Sequence, residues 1–333
     1  KSIHFSDMSS TALKIMVLAG GPDREREVSL VSGRAVADAL EEAGHEVRLC
    51  DVGPEELSCL DEFERWGGQV VFPALHGTWG EGGALQQILE QRAVAYVGSP
   101  PQAADRAMDK ALAKQQISAA DIPTPQFEVL EAGRSPQLEP PLVLKPLREG
   151  SSIDMEICRD QTAMERTLQR LRPRYPKLLA ERFVSGKELT VGIIGDRHAA
   201  DGCRALPPIQ IIPAEGFYDY QAKYERDDTR YLFEIDLPAK LLEELVARAL
   251  RAHRLLGCRH LSRVDFIADA EGQLWFLEIN TIPGFTTHSL VPMAARKAGL
   301  PLPALLDQLV QLAAADTGCE VPKAECEVAP NAN

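Results

Sequence analysis

Two carboxylates and an amide recur at alternating positions in the stretch SRVDFIADAEGQLWFLEIN, residues 262–280. Two alternating runs flank a Glu-Gly pair at 271–272, which is typical of a β-hairpin with a two-residue turn. Polar side chains then share one face of the hairpin and apolar side chains share the other. A shift of the strand pairing by one residue would mix the two sets. The predicted cross-strand pairs are Asp265 with Glu278 and Arg263 with Asn280. The predicted apolar face consists of Val264, Phe266, Ala268, Trp275, Leu277 and Ile279.

The polar face of this hairpin has the chemistry of a site for a hard cation. Opposed carboxylates repel each other and are costly to bury without a cation. Asp265, Glu278 and Asn280 offer the oxygen ligands that suit Mg²⁺ or Mn²⁺, with the remaining positions left to water and substrate phosphates. The alternative is a solvated polar face balanced by Arg263. Four convergent groups followed by the Pro283-Gly284 turn favour the metal site.

A phosphate group would complete such a site, and the stretch LVLKPLREGSSID, residues 142–154, has groups that suit one. An apolar strand ends near Lys145, and the loop 148–152 that follows could present backbone N–H groups and the hydroxyls of Ser151 and Ser152 to an anion. An ordinary turn is the alternative for this loop taken alone. Neither the Walker A spacing nor G-x-G-x-x-G is present here or in LAGGPDRE.

Composition limits the classes of protein that this chain can belong to. It has 333 residues, of which 45% are hydrophobic and 26% charged, and this balance predicts a globular protein of two or three subdomains. A net charge of −13 argues against a general surface for nucleic acid or anionic membrane. The seven cysteines form no C-x-x-C motif, so neither a disulfide framework nor a zinc site is indicated. No apolar run is long enough for a membrane span, and the cytoplasm is the expected location.

Hydrophobic periodicity predicts the elements that must position these groups. An N-terminal β-α-β pattern consists of strands at 14–19, 46–50 and 69–74 and a helix at 28–43, and a helix is also predicted at 105–120. Two prolines in DIPTPQF mark a boundary near residue 121. The predicted elements beyond it are strands at 126–130, 142–146, 177–183 and 188–194 and helices at 161–171, 240–256, 289–299 and 302–314. We expect a disordered leader at 1–13 and a flexible tail at 316–333.

Taken together, these motifs resemble the ATP-grasp superfamily and, within it, the D-alanine:D-alanine ligases. The matching stretches span residues 14 to 312 in family order: GGPDREREVSL, ALHGTWGEGGALQQILE, AMDKALAK, LKPLREGSS, GKELTVGI, GFYDYQAKY, RVDF and EINTIPGFTTHSLVPMAA. The resemblance implies a mixed α/β and α+β ATP-grasp fold with a doubly wound, Rossmann-like N-terminal domain. The implied domains are 14–121, 122–200 and 201–315, with ATP between the last two and a homodimer as the assembly.

The resemblance also implies which residues bind ATP. It places Lys110 and Lys145 at the inner phosphates, Ser152 in the phosphate loop, Glu181, Arg182, Phe183 and Val184 at the adenine, Glu188 at the ribose and Lys223 at the γ-phosphate. It places two Mg²⁺ or Mn²⁺ ions on Asp265, Glu278 and Asn280, in agreement with the hairpin above.

The implied reaction has two steps, with D-alanine and ATP as substrates. One D-alanine carboxylate attacks the γ-phosphate, and the amine of a second D-alanine then attacks the resulting acyl phosphate. The implied catalytic residues are Glu25 at the first ammonium, Arg263 and the Gly284 N–H at the tetrahedral oxyanion, Ser289 at the second carboxylate, and Tyr224, which is linked through Ser151 to Glu25.

Departures from the family pattern leave other hypotheses open. Asp154 stands where the loop after Gly-Ser-Ser normally has a second glycine, which adds a negative charge near the expected phosphates. His76 is either a core or capping histidine or a neighbour of the substrate site. A relative that uses D-serine or D-lactate as second substrate is an alternative, although Tyr224 favours an amine acceptor. A non-catalytic ATP-binding regulator is another, although all three metal ligands are present.

Overall fold

The computed structural model describes residues 11–195, 202–213, 229–286 and 289–316. The predictions for Lys223 and Tyr224 therefore lie outside the described residues, as do those for residues 1–10 and 317–333. Within the described part of the chain, three β-sheets form the framework. The division into domains stays a prediction.

The first sheet is parallel, with strand order β2-β1-β3, and helices cover both of its faces. Strand β1 is almost wholly apolar because both of its faces are buried. Ile15 and Val17 pack in one core cluster, and Met16 and Leu18 pack in another. The predicted doubly wound architecture is confirmed. The elements are β1 (Lys14–Gly20), α1 (Arg26–Glu42), β2 (Glu46–Val52), α2 (Ser58–Trp66), β3 (Val70–Pro73), α3 (Gly77–Glu81) and α4 (Ala84–Gln91).

The single helix predicted at 105–120 is wrong, because the chain forms two helices, α5 (Pro101–Met108) and α6 (Lys110–Ala119). Asp109 between them has an extended backbone (φ −81°, ψ 101°). Its carboxylate accepts hydrogen bonds from the N–H groups of Ala111 and Leu112, both at 3.1 Å, and so caps α6. The break makes Lys110 the first residue of a new helix.

The second sheet has four antiparallel strands in the order β4-β7-β5-β6. One helix packs on it through Met164, Leu168 and Leu171. The elements are β4 (Phe127–Glu131), β5 (Leu142–Pro146), β6 (Glu156–Cys158), α7 (Gln161–Leu171) and β7 (Lys177–Arg182).

The third sheet has six strands in the order β11-β10-β8-β12-β13, with β9 paired to β8. Strand β8 precedes the boundary predicted at residue 200 and nevertheless pairs along its whole length with β12. Its elements, with the helices that follow the chain, are β8 (Lys187–Gly195), β9 (Arg204–Ala205), β10 (Ile209–Ile212), β11 (Arg230–Leu232), α8 (Ala239–Leu255), β12 (His260–Ala268), β13 (Leu274–Asn280), α9 (Leu290–Lys297) and α10 (Leu302–Ala315). No single helix among the described residues has the length and apolarity to cross a membrane, and α9 and α10 meet those criteria only as a pair bent by 105°.

The hairpin β12–β13 has the predicted pairs at its polar end but not the predicted turn. Asp265 pairs with Glu278, and Arg263 pairs with Asn280. The next pair is Phe266 with Phe276, so Leu277 is an extra residue in a β-bulge, and residues 269–273 connect the strands. The bulge reverses the alternation of β13. The predicted core positions Trp275 and Leu277 are therefore wrong, and Leu274 and Phe276 are buried instead, whereas the predicted core position Ile279 is confirmed.

Candidate active site

Two adjoining pockets lie where the second and third sheets face each other and meet the N-terminal loops. The larger, here called the cleft, has a volume of about 210 Å³ and lies between the strands β5 and β7 on one side and β8, β12 and β13 on the other. The smaller, here called the inner pocket, has a volume of about 50 Å³. Lys110, Glu149 and Glu278 line both pockets. A molecule in one pocket therefore meets a molecule in the other at a lysine and two carboxylates.

A buried carboxylate with two lysines lies at the wall of the cleft that β5 and β7 form. Glu181 Oε2 lies 2.5 Å from Lys114 Nζ, and its Oε1 accepts a hydrogen bond from Lys145 Nζ at 3.2 Å. Burial alone would raise the pKa of Glu181, but the two lysines outweigh burial and hold that pKa below its usual value. Burial lowers the pKa of Lys114 to about 8, and the attraction of Glu181 opposes this effect. We call Lys114, Glu181 and Lys145 the buried lysine cluster.

Lys114 was missed in the sequence, although it lies in the quoted stretch AMDKALAK. Its side chain is fully buried and also donates hydrogen bonds to Thr124 Oγ1 at 2.8 Å and to the Phe276 carbonyl at 3.2 Å. A lysine four residues after Lys110 lies on the same helical face, and this spacing was the available signal. Helical lysines are usually exposed, so the sequence did not indicate that the Lys114 side chain is buried.

The predicted metal ligands lie together on the polar face of the hairpin. Asp265 on β12 lies between two Cα partners, Thr190 on β8 and Glu278 on β13. The Thr190 hydroxyl donates to Asp265 Oδ1 at 2.6 Å, and the Arg263 Nη2 donates to Oδ2 at 2.9 Å. Lys110 Nζ lies 3.7 Å from Glu278 Oε2. Each carboxylate thus has a cation beside it, as opposed carboxylates require.

This donor set fits Mg²⁺ or Mn²⁺. The part of the chain that the structure describes has no group of three His, Cys, Asp or Glu side chains placed for a metal. The ligands would therefore be two carboxylates and the Asn280 amide. Asn280 Oδ1 accepts a hydrogen bond from the Ile282 N–H at 2.8 Å and keeps a second lone pair. Mg²⁺ sites typically have only a few protein ligands, all of them oxygen atoms, and substrate phosphates complete the coordination.

The loop 147–155, between β5 and β6, covers the junction of the two pockets. Ser152 lines the cleft, whereas Gly150 and Ser151 line the inner pocket. The Ser151 hydroxyl donates a hydrogen bond to Glu25 Oε1. A Cβ at Gly150 would lie only 2.7 Å from Glu25 Oε2, so a larger residue there would displace the Glu25 carboxylate.

The inner pocket is lined by buried polar groups of the N-terminal part. Glu25 is 3% exposed, and His76 is also buried. His76 Nδ1 lies 3.2 Å from Glu81 Oε1. Burial alone would lower the pKa of His76, but the hydrogen bond and charge of Glu81, together with the charge of Glu25, raise it above its usual value. His76 lines the inner pocket and is also the buried N-cap residue of α3, so the two alternatives left open by the sequence do not exclude each other.

Gly284 lies at the inner pocket, and Ser289 lies next to Gly284. Gly284 lines the pocket, and a Cβ there would lie 3.0 Å from Ser289 Oγ. Ser289 Oγ accepts a hydrogen bond from the Thr286 N–H at 2.9 Å. Ser289 is the described candidate that lines neither pocket directly.

The structure brings nearly all of the candidates together. The cleft is lined by Lys110, Lys145, Ser152, Glu181, Arg182, Phe183, Val184, Glu188, Asp265 and Glu278. The inner pocket is lined by Glu25, Lys110, Ser151, Arg263, Glu278, Asn280 and Gly284. Lys223 and Tyr224 lie outside the described residues.

A cleft between two antiparallel sheets that is lined by both lysines and carboxylates is the arrangement expected of the ATP-grasp class of enzymes. A family model described as the C-terminus of D-ala D-ala ligase matches residues 116–311. A D-alanine–D-alanine ligase from Bordetella pertussis is 44% identical over 300 residues, covering 88% of this chain and 92% of the relative. One from Dechloromonas aromatica is 42% identical over 308 residues, covering 91% and 98%.

Comparison with solved structures gives the same result. The D-alanine–D-alanine ligase from Coxiella burnetii matches with a TM-score of 0.78 and 25% identity, covering 92% of this chain and 95% of that one. The chain belongs to the D-alanine–D-alanine ligase family, a family of ATP-dependent ligases. The family resemblance found in the sequence is confirmed.

Proposed function

We propose that this protein joins two D-alanine molecules into D-alanyl-D-alanine for peptidoglycan precursor synthesis, through a D-alanyl phosphate formed from ATP. The observation that carries the proposal is that the cleft and the inner pocket share Lys110 and Glu278. A carboxylate is a poor acyl donor, and phosphorylation supplies its leaving group. A nucleotide cleft must therefore open onto a pocket for a small amino acid.

In the first step, the cleft binds ATP with its phosphates toward the inner pocket. Lys110, Lys145 and Ser152 contact the phosphates in this proposal, because all three line the cleft and Lys110 also lines the inner pocket. Glu188 binds the ribose. The adenine lies against the end of β7 and the residues after it, namely Glu181, Arg182, Phe183 and Val184. Lys223 would add a positive charge at the γ-phosphate.

Asp265, Glu278 and Asn280 hold Mg²⁺ or Mn²⁺ ions in this proposal. Bound there, the ions would offset the phosphate charge that accumulates during transfer. The Thr190 hydroxyl fixes the orientation of the Asp265 carboxylate. Arg263 and Lys110 limit the repulsion between the carboxylates.

In the second step, the inner pocket orients both amino acids. Glu25 binds the ammonium of the first D-alanine and is itself oriented by the Ser151 hydroxyl. The Arg263 guanidinium and the Gly284 N–H stabilise the tetrahedral oxyanion. Ser289 binds the carboxylate of the second D-alanine. Tyr224 would complete the polar link from Ser151 to the attacking amine.

We also propose a homodimer located in the cytoplasm, where ATP is available. Both proposals rest on the family resemblance. Light scattering of the purified protein would test the assembly, and a monomer at all concentrations would contradict it.

The activity test incubates the purified protein with ATP, Mg²⁺ and D-alanine, and follows ADP and the dipeptide by mass spectrometry. The expected result is D-alanine-dependent ADP release together with D-alanyl-D-alanine. L-alanine, D-serine and D-lactate are run in parallel, since ADP release with another product would indicate a different second substrate. ATP binding without turnover would favour the regulator.

The metal assignment has its own variant. Glu278→Gln should reduce turnover roughly a hundredfold or more, because a metal contributes several kcal/mol of charge stabilisation. Glu271→Gln, an exposed position in the connection of the same hairpin, is the matched control and should retain full activity. Full turnover by Glu278→Gln would defeat the assignment.

A further inference from the structure

Asp154, the residue that stands where the family normally has a glycine, is surrounded by hydrogen-bond donors. Its Oδ1 accepts from Arg170 at 3.2 Å and from Arg174 at 2.7 Å. Its Oδ2 accepts from Arg24 at 2.8 Å and from the Tyr175 hydroxyl at 2.6 Å. We call these five residues the Asp154 cage. Both carboxylate oxygens are occupied by two donors each.

The Asp154 cage joins three segments that are distant in sequence. Arg24 lies in the loop before α1 and directly precedes Glu25, the N-cap residue of that helix. Arg170 belongs to α7, and Arg174 and Tyr175 follow that helix. Asp154 therefore connects the loop 147–155 both to α7 and the residues that follow it and, across 130 residues, to the N-terminal part.

The Asp154 carboxylate points away from the cleft. The neighbouring loop residues Ser152, Ile153 and Met155 line the cleft, whereas Asp154 does not line it. The sequence suggested an added negative charge beside the phosphates. In the structure that charge is instead neutralised by arginines, and these arginines, together with Tyr175, hold the pKa of Asp154 below its usual value although burial opposes this.

The loop needs such contacts because of its backbone. Ser151, Ser152 and Asp154 have positive φ values of 47°, 57° and 57°. Residues with a Cβ are strained in this left-handed region, and the surrounding structure must offset the cost. The Ser151 bond to Glu25 and the Arg24 bond to Asp154 both tie the loop to the segment 24–25.

We propose that Asp154 and Arg24 form an interdomain latch that holds the loop 147–155 closed over the two pockets. This inference rests on the proposed function, in which the loop binds phosphate through Ser152 and orients Glu25 through Ser151. Asp154 and Arg24 are positioning residues and contact no substrate themselves. Without the latch the loop opens, and Ser151 and Ser152 are placed correctly for a smaller fraction of the time.

The kinetic consequence is specific. The latch is equally present in the substrate complex and in the transition state. Its loss should therefore weaken the binding of the substrate and of the transition state by the same amount, which raises KM and leaves kcat unchanged. Asp154→Asn should raise the KM for ATP about tenfold and Arg24→Met about fivefold, with kcat within about twofold of the parent. Because the two residues act as one unit, the double variant should match Asp154→Asn alone.

A second measurement does not depend on catalysis. Amide hydrogen exchange of the loop 147–155 in the protein without nucleotide should be several-fold faster in both variants than in the parent. Arg34→Met, at an exposed position on α1, is the matched control and should change neither KM nor exchange. If the parent makes no dipeptide, the proposed function fails while loop exchange still tests the latch.

The following results would overturn the latch. One is unchanged KM and unchanged loop exchange in both variants. Another is a lower melting temperature with KM and exchange unchanged, which would identify a purely structural cage. A third is faster amide exchange of the loop in Asp154→Asn but unchanged exchange in Arg24→Met. This result would show that Asp154 holds the loop through its contacts with α7 alone, and it would reject the interdomain contact.

Discussion

The buried lysine cluster and the Asp154 cage are both carboxylates surrounded by cations, but they differ in exposure. In the cluster, the side chains of Lys114, Glu181 and Lys145 are 0%, 3% and 7% exposed. In the cage, the Asp154 side chain is 9% exposed, whereas its arginine partners are 42% to 58% exposed. One arrangement is closed to water, and in the other the cations remain hydrated.

This difference determines what each arrangement can do. Charges in the interior interact strongly and are little screened, and removing one leaves its partner uncompensated. Exposed pairs are screened and contribute little each. The buried lysine cluster therefore fixes one wall of the cleft, whereas the cage holds a loop by contacts weak enough to open.

The largest expected effect comes from breaking the buried lysine cluster. Lys114→Met leaves Glu181 with one lysine and removes the Lys114 hydrogen bonds to Thr124 Oγ1 and to the Phe276 carbonyl, which keeps the Thr124 hydroxyl as a donor. The free energy of unfolding should fall by about 3–5 kcal/mol. Denaturant unfolding monitored by circular dichroism measures it.

Lys177→Met is the matched control for this prediction. Lys177 pairs with Glu131 at 2.9 Å, and both side chains are 54% exposed. This variant should change the free energy of unfolding by less than about 1 kcal/mol. An equal decrease in the free energy of unfolding in both variants would show that the buried ion pairs stabilise the protein no more than the exposed pair does.

The pH dependence of stability gives the next test of the contrast. The pKa of Lys114 is lowered from 10.5 to about 8, so between these values the unfolded chain binds a proton that the folded protein does not. Lys114 therefore contributes stability that rises with pH across this window. The difference in unfolding free energy between the parent and Lys114→Met should grow from pH 8 to pH 10.5, and a flat or shrinking difference would refute this.

Asp154 should contribute stability with the same sign of pH dependence but in the acid range, because its pKa is also lowered on folding. Its pKa lies below the ordinary value of 3.8 in the folded protein, so its contribution is present above 3.8 and is lost as pH falls through the folded pKa. Asp154→Asn should therefore leave the alkaline dependence of stability unchanged.

A smaller effect is expected where a buried hydroxyl supports the proposed metal ligand Asp265. Thr190 is 2% exposed and donates to Asp265 Oδ1 at 2.6 Å. Thr190→Val should weaken Mn²⁺ binding about 10- to 100-fold, because the hydrogen bond from the Thr190 hydroxyl orients the Asp265 carboxylate. Calorimetric titration with Mn²⁺ measures it. Thr190→Ser keeps the hydroxyl and should retain most of the affinity, and equal affinity of the Val variant and the parent would exclude the role.

The hairpin shows how far the sequence predicts this site. Alternation placed Asp265 opposite Glu278, because polar residues on one face leave a single consistent register at that end. The same alternation placed Trp275 and Leu277 in the core, and this was wrong. A bulge adds one residue without changing composition, so no period could reveal that Leu277 lines the cleft.

Other features depended on tertiary contacts that leave no local pattern. The helical period continues through Asp109, although its carboxylate caps a new helix there. Lys114 looks like an exposed helical lysine until the Glu181 carboxylate is brought to it from 67 positions further along the chain. Asp154 was recognised as a departure from the family, but its arginine partners come from separate elements.

The smallest expected effect is on the pair of Arg24 and Asp154. Because Arg24 is 58% exposed, their coupling in a double-mutant cycle should be about 0.5–1 kcal/mol in stability at low salt. It should fall toward zero in about 1 M NaCl, where the screening length is about 3 Å. The coupling between Lys114 and Glu181, measured in the same way, should persist at high salt because neither side chain is accessible to ions. Equal salt sensitivity of the two couplings would remove the distinction between a fixed wall and a loop that can open.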